Sequence, residues 1–160
     1  MAVTYKILFR ACDKIESVHN AGRPFNLSKQ QIIKLSFYSI YKSISEYDFN
    51  ITIIGDELSE HMLNFFEDFK GVNVVNDKFG SAAKSLQKQI NIALEIPDNE
   101  WVYLCEDDYV HSENAFELIT EFITNKEQYL KTSGKKKNFL KLHFYIVFQT
   151  HLEMVENLVG

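Results

Sequence analysis

The sequence has little of what marks several classes of protein. It contains two cysteines, Cys12 and Cys105, whose wide separation matches neither a disulfide framework nor the spacing of a zinc site. No apolar run approaches the roughly 18 residues that a membrane span requires. Residues 1–14 also lack the long apolar block of a signal peptide. The sequence therefore predicts a cytoplasmic protein with reduced thiols and no transmembrane segment.

An excess of positive charge is missing as well. The formal net charge is −5, whereas a dedicated nucleic-acid binder usually carries a basic face, so we expect no nucleic-acid partner. What is present is typical of a soluble globular protein: 46% hydrophobic and 24% charged residues in a chain of 160. That length corresponds to about one domain with a substantial core, and we expect a single domain over residues 1–160.

Strand-like and helix-like patterns alternate along the chain. Short apolar runs predict strands at residues 5–10, 49–54, 72–75 and 101–105. Helical spacing follows each of them, and the first helix begins with a capping box at residues 28–31. This order predicts an α/β fold, a three-layer αβα arrangement with a mostly parallel sheet and helices on both faces.

The spacing of apolar residues also predicts which side of each helix faces the core. Three such faces are Ile33, Phe37, Ile40 and Ile44; then Leu86, Ile90, Ala93 and Leu94; and then Phe116, Ile119 and Ile123.

Polar clusters fall where the predicted strands end. They are residues 10–14, 56–57 and 106–108, and a fourth cluster, 78–81, lies between the third strand and its helix. Ligands of parallel α/β sheets bind beyond the carboxyl ends of the strands. We therefore expect all four clusters to lie along one edge of the sheet.

The acidic triplet Glu106, Asp107 and Asp108 follows the fourth strand directly. Adjacent carboxylates repel one another unless solvent or a cation compensates their charge. Mg²⁺ binds proteins through one or two carboxylates together with substrate phosphates. The triplet is therefore either a metal site or a solvated turn in which Asp107 or Asp108 caps the next helix.

Residues 4–124 resemble a nucleotide-diphospho-sugar transferase of the GT-A type, the fold of the family 2 glycosyltransferases. The resemblance rests on four segments, in this order: ILFRACDK, ITIIGDELSE, FGSAAKSLQKQINIAL and WVYLCEDDYVH. The last is similar to the DxD motif of that family. The resemblance implies an enzyme that moves a sugar from a nucleotide-diphosphate donor to an acceptor hydroxyl, with a bound divalent metal.

The family pattern implies which residues would surround the nucleotide base. Arg10, Ala11 and Cys12 would form a wall around the base, largely through backbone groups. Asp56 would accept a hydrogen bond from the base. Family members often carry Asp-Asp-Gly-Ser where this chain has residues 55–58, Gly-Asp-Glu-Leu, so the chain departs from the pattern here.

The same resemblance implies residues for the ribose, the phosphates and the metal. Asp107 would lie near the ribose and a metal-bound water. Asp108 would bind Mn²⁺ or Mg²⁺ bridging the diphosphate, and the metal ligands would be Asp108 and Asp107. Ser81 and Lys84, at the start of a helix, are further candidates for contacting the base or a phosphate.

The resemblance leaves the acceptor side open. Enzymes of this type continue well beyond the acidic triplet, whereas this chain ends at residue 160 and could be a truncated form. We consider His111 and His143 as candidates for catalysis, although a histidine in an apolar strand is more often a core residue. The acceptor could be a glycan, a lipid-linked molecule or a protein.

The sequence of residues 125–160 predicts a basic loop, then a short strand at residues 139–148 and a short helix at residues 150–159. Six lysines dominate the loop: Lys126, Lys131, Lys135, Lys136, Lys137 and Lys141. The loop is either solvated or a peripheral contact with an anionic membrane.

Three functional interpretations remain open. The first is a metal-dependent glycosyltransferase. The second is a catalytically incomplete GT-A-like domain that binds a nucleotide or a partner protein without transferring sugar. The third, a flavodoxin-like or response-regulator domain, fits less well because the acidic residues follow the fourth strand rather than the first.

Overall fold

The computed structural model describes residues 3–14 and 23–132. In this part of the chain, strands and helices alternate as the sequence predicts, and a short 3-10 helix, Pro24–Asn26, precedes the first long helix. The elements are β1 (Thr4–Ala11), α1 (Lys29–Ile44), β2 (Asp48–Asp56), α2 (Glu60–Glu67), β3 (Val72–Asp77), α3 (Ala82–Glu95), β4 (Trp101–Glu106) and α4 (Ala115–Thr132).

The four strands form one sheet in which every neighbouring pair is parallel. Their order is β3-β2-β1-β4, so β1 pairs with β2 on one side and with β4 on the other. The predicted α/β fold with parallel neighbouring strands is confirmed. Strand order runs outward from β1 in both directions, which creates a topological switch point between β1 and β4.

Helix α1 begins and packs as its sequence predicts. The Gln31 backbone N–H donates to Ser28 Oγ at 3.2 Å, and the Ser28 N–H donates to Gln31 Oε1 at 2.8 Å, which completes the capping box. The predicted inward face, Ile33, Phe37, Ile40 and Ile44, is fully buried. Each such side chain contributes about 1.5–3 kcal/mol by burial, so α1 is held firmly against the sheet.

The larger core lies on the face of the sheet that α1, α2 and α4 cover. Alternate residues of β1, including Ile7 and Phe9, point into this core because successive strand residues face opposite sides. The ring of Phe37 packs edge-on against those of Phe9 and Phe66, with centroids 5.9 and 5.0 Å apart. This packing fixes α1 and α2 relative to β1.

Helix α3 covers the opposite face, but the predicted inward face is only partly buried. Ala93 is buried as predicted, whereas Leu86 and Leu94 are 39% and 75% exposed, and Ser85 and Gln89 are buried as well. Small residues allow the helix backbone to approach the sheet, and the buried amide of Gln89 donates from Nε2 to the Leu8 carbonyl at 2.7 Å. A hydrogen-bonded polar side chain therefore replaces the leucines that periodicity favoured.

Helix α4 has the predicted inward residues, Phe116, Ile119 and Ile123, all buried. It continues to Thr132, so the predicted basic loop is wrong for residues 125–132, where the backbone is helical. The predicted strand at 139–148 and helix at 150–159 lie outside the described residues. No helix in the described part of the chain is both long and apolar enough to cross a membrane.

Candidate functional site

The carboxyl edge of the sheet gathers the polar clusters, because all four strands point the same way. Contact between two of the clusters is direct, since the Cys12 backbone N–H donates to Asp107 Oδ2 at 3.0 Å. Cys12 follows β1 and Asp107 follows β4, so this bond lies at the switch point. The prediction that residues 10–14 and 106–108 share one edge is confirmed, as is the placement of Cys12 and Cys105 near it.

The three carboxylates of the acidic triplet have three different surroundings. Glu106 is the last residue of β4, on the face that α3 covers, and its Oε1 is 2.5 Å from Arg10 Nη2. Asp107 turns toward α1, where its Oδ1 is 2.6 Å from Lys29 Nζ. Asp108 is exposed and makes no ion pair with a lysine or arginine in the described residues. Among the described residues, two of the three negative charges therefore have a basic partner, and the third has no such ion pair.

Asp107 is the most enclosed carboxylate of the triplet, with 8% of its surface exposed. Its two oxygens take one N–H from the loop after β1 and one ammonium from the start of α1. Hydrogen bonds to a charged group contribute roughly 1.5–3 kcal/mol each, so Asp107 ties β4, β1 and α1 together. Asp107 is therefore better placed to hold the neighbouring loops in position than to bind a ligand by itself.

Asp108 and Glu106 are both exposed, but Glu106 is paired with Arg10, so Asp108 is the exposed carboxylate of the triplet that has no ion pair among the described residues. Partial burial, and next the charge of Asp107, raise the pKa of Asp108, whereas Lys29 acts in the opposite direction. A cation placed beside this side chain would relieve the repulsion from Asp107.

The described residues do not form a preformed metal site, so a metal at this edge would need further ligands from a substrate. Within residues 3–14 and 23–132, no group of three histidine, cysteine or acidic side chains is arranged to hold a metal ion. Mg²⁺ commonly takes one or two protein carboxylates and completes its coordination with water and phosphate. Asp108 can supply one such ligand, while Asp107 already holds an ammonium.

Arg10 lies on the α3 side of the edge, with a mostly buried side chain. Its Nη1 donates to the Ala82 carbonyl at 3.3 Å and to Ser85 Oγ at 3.2 Å, which links β1 to the first turn of α3. Its Nε is buried without a hydrogen-bond partner among the described residues. Ala11 is buried and Cys12 is half-buried at this edge.

Asp56 lies at the same edge, at the end of β2, and is buried. Its Oδ1 accepts from the backbone N–H groups of Phe79 and Gly80, at 2.9 and 3.3 Å. One oxygen of the residue expected to contact a nucleotide base therefore holds the loop before α3. Asp56 therefore fixes the position of this loop relative to the end of β2.

Glu57 departs from ordinary backbone geometry, with φ of 53°. This left-handed region favours glycine, and other residues adopt it at a cost of about 1–2 kcal/mol. Glu57 occupies the position of the glycine in the Asp-Asp-Gly-Ser pattern of the resembled family. The backbone at this turn thus has a conformation that glycine adopts most easily, and the chain has a glutamate there.

Ser81 and Lys84 lie at the start of α3. Ser81 is its N-cap and accepts from the Lys84 backbone N–H at 3.3 Å, while both side chains are exposed. The positive end of the helix dipole is therefore open to solvent at this edge, with a lysine beside it, as an anion-binding role requires.

Two important residues had no role in the sequence prediction. Asp13 accepts from the Ser59 backbone N–H at 3.1 Å and from the Gln30 side chain at 2.9 Å, so it joins the loop after β1 to the starts of α2 and α1. No local pattern links residues so distant in sequence. Lys29 did leave a signal, because a basic residue in the first turn opposes the helix dipole.

His111 is not part of the edge. Its Nε2 shares a hydrogen bond with the Tyr103 hydroxyl at 2.9 Å, and its backbone N–H donates to Ser39 Oγ at 2.9 Å. Burial lowers the pKa of His111 to about 4, so the ring is neutral at neutral pH. The residue joins β4 to α1 below the site. His143, the other candidate for catalysis, lies outside the described residues.

No protein-family model, curated protein or solved structure matches this chain.

Proposed function

We propose that the chain is a metal-dependent glycosyltransferase of the GT-A type, which binds a nucleotide-diphospho-sugar at the carboxyl edge of its sheet. The observation that carries this proposal is the meeting of Cys12 and Asp107 at the switch point between β1 and β4. Switch points are where open parallel sheets bind ligands. The polar ends of the segments that contain β1, β2 and β4 lie at this edge, which supports the proposal.

Different residues of the edge would contact different parts of the nucleotide-sugar donor. The backbone after β1 and the loop held by Asp56 would flank the base. The open start of α3, with Lys84, would attract a phosphate group. Asp107 keeps the β1 and β4 loops together, and Asp108 is the side chain that would hold Mn²⁺ or Mg²⁺ against the diphosphate.

A divalent cation at Asp108 would stabilise the negative charge of the departing nucleoside diphosphate. The acceptor hydroxyl, on a glycan, a lipid-linked molecule or a protein, would attack the sugar from the solvent side of the edge. A carboxylate base usually assists such an attack, and none of the described residues is assigned that role here.

A second candidate function has an observation of its own. Glu106 and Asp107 are already neutralised by Arg10 and Lys29, which suits a GT-A-like domain that binds a nucleotide or a partner protein without transferring sugar. The glycosyltransferase must bind a nucleotide sugar and transfer its sugar. The second candidate binds a nucleotide or a partner protein and transfers nothing.

The test is transfer from a panel of nucleotide sugars in the presence of Mn²⁺, in wild type and in Asp108→Asn. We expect release of nucleoside diphosphate by wild type and a loss of about a hundredfold or more in the variant, because metal stabilisation of a leaving group is worth several kcal/mol. Glu113→Gln is the matched control, since it removes one exposed negative charge near the far end of α1. Nucleotide binding without release from any donor would favour the second candidate.

A further inference from the structure

Lys29 occupies a position that is unfavourable for a lysine in two respects. It is the first residue of α1, where the positive end of the helix dipole opposes a cation. Its side chain is also largely buried, at 22% exposure, and removing an ammonium from water is costly. A close anionic partner offsets both costs, and Asp107 supplies it at 2.6 Å.

The position of this ammonium bears on metal binding. It lies beside Asp107, one of the two side chains expected to bind the metal, and its charge also acts on Asp108. A divalent cation that approached both carboxylates would meet a positive charge already in place. Repulsion between like charges at such short range is only partly screened in a half-buried site.

We propose that Lys29 is a resident cation that competes with a divalent metal for Asp107 and so limits the metal to Asp108. The metal then binds appreciably only when a diphosphate supplies further oxygen ligands. The diphosphate part of this inference rests on the proposed function. The competition between Lys29 and a metal can be tested without a nucleotide, because it requires only that a divalent cation can approach Asp107 and Asp108.

A purely structural ion pair leads to a different expectation. If Lys29 only fastens α1 to the loop after β4, neutralising it lowers stability and leaves the affinity for metal unchanged. If Lys29 competes with the metal, neutralising it leaves two adjacent carboxylates without a nearby cation. A divalent ion would then bind both of them more tightly.

The experiment is calorimetric titration with Mn²⁺ alone of wild type, Lys29→Gln and Lys29→Met. The glutamine variant retains a donor for Asp107 without the charge, and the methionine variant removes both. Lys14→Gln is the matched control, because Lys14 is an exposed lysine after β1 that pairs with Glu57 instead. Circular dichroism verifies that each variant is folded.

We expect the affinity for Mn²⁺ to rise about tenfold or more in Lys29→Gln, by analogy with the effect of a close charge on a pKa. Lys14→Gln should stay near the wild-type value. Adding Asp107→Asn to Lys29→Gln should remove the gain, since the second metal ligand is then neutral. If Lys29→Met is unfolded, the glutamine variant and its double mutant still decide the question.

An unchanged or lower affinity for Mn²⁺ in folded Lys29→Gln overturns the proposal, and so does a gain that survives Asp107→Asn. The proposed function is tested separately, by titrating wild type with nucleoside diphosphate and Mn²⁺ together. A gain in Lys29→Gln without nucleotide binding by wild type would keep the role of Lys29 and reject the glycosyltransferase.

Discussion

At the scale of single residues, the acidic triplet divides its charges among different partners, and strand geometry explains part of this division. Successive residues of a strand face opposite sides of the sheet, so Glu106 and Asp107 separate toward α3 and toward α1. The sequence therefore predicts that the two side chains point to opposite sides, but it does not predict which basic residues pair with them. Lys29 and Asp107 are brought together only by the packing of α1 on the sheet.

The partners of Asp13 could not be predicted from the sequence either. They are Ser59 and Gln30, at the starts of two different helices, and the sequence around a carboxylate that follows a strand does not indicate which helix will contact it. Residue types indicated a polar edge correctly. The pairing within that edge depends on tertiary contacts that no local spacing encodes.

The buried position of His111 leads to a prediction about pH. Its folded-state pKa of about 4 is below the unfolded value, so the unfolded chain binds the proton more readily. Its contribution to stability is therefore intact above about pH 6.5 and is lost as the pH falls toward 4. Between pH 7 and pH 5 we expect a loss of about 2 kcal/mol from this residue.

His111→Gln should remove that loss, because glutamine does not titrate in this range. The measurement is urea unfolding of both proteins at pH 7 and pH 5, with the difference in free energy of unfolding compared between them. Equal losses in the two proteins would show that His111 is not held as a buried neutral ring.

At the scale of elements, predictions succeeded where the apolar pattern was strong. The four isoleucine and phenylalanine side chains of α1 repeat at helical spacing after a capping box, and its start and face are both as expected. In α3 the predicted face contained two leucines, which are exposed, and Ala93, which is buried together with Ser85 and Gln89. Small residues allow the helix to approach the sheet closely, and the Gln89 amide donates to the Leu8 carbonyl of β1.

Replacing Gln89 tests which face of α3 packs against the sheet. Its amide also donates to the Cys105 carbonyl, at 3.2 Å, and the side chain is almost fully buried. Gln89→Ala leaves these acceptors without that donor and creates a cavity, so we expect a loss of about 1–3 kcal/mol in the free energy of unfolding.

Gln87→Ala provides the comparison, since Gln87 is exposed on the same helix and bonds only to Asn91 within it among the contacts described. Its free energy of unfolding should change by less than about 0.5 kcal/mol. Urea titration of the two variants gives both values. Similar losses in both would mean that α3 packs with a face other than the one containing Gln89.

At the scale of the whole molecule, the alternation of strands and helices predicted more than any single motif. It implied a parallel sheet, and a parallel sheet places all strand ends at one edge. The order β3-β2-β1-β4 was not predictable from the sequence, yet it decides which clusters meet. Because β1 lies beside β4, residues after these two strands touch, and those after β3 lie two strands away from β1.

Both proposed functions require a ligand at that edge. Asp108 is central because, of the three carboxylates, it is the one without a basic partner in the described part of the chain. A glycosyltransferase and a nucleotide-binding domain of the same fold share this requirement. A solvated acidic turn does not.

The most direct measurement is calorimetric titration with a panel of nucleoside diphosphates, with and without Mn²⁺, of wild type, Asp108→Asn and Glu113→Gln. We predict that at least one nucleoside diphosphate binds wild type about tenfold or more tightly with Mn²⁺, since a hard cation bridges carboxylate and phosphate oxygens. Glu113→Gln should retain this dependence on Mn²⁺, and Asp108→Asn should lose it. The account is contradicted if no nucleoside diphosphate binds, or if Mn²⁺ has the same effect on wild type and Asp108→Asn.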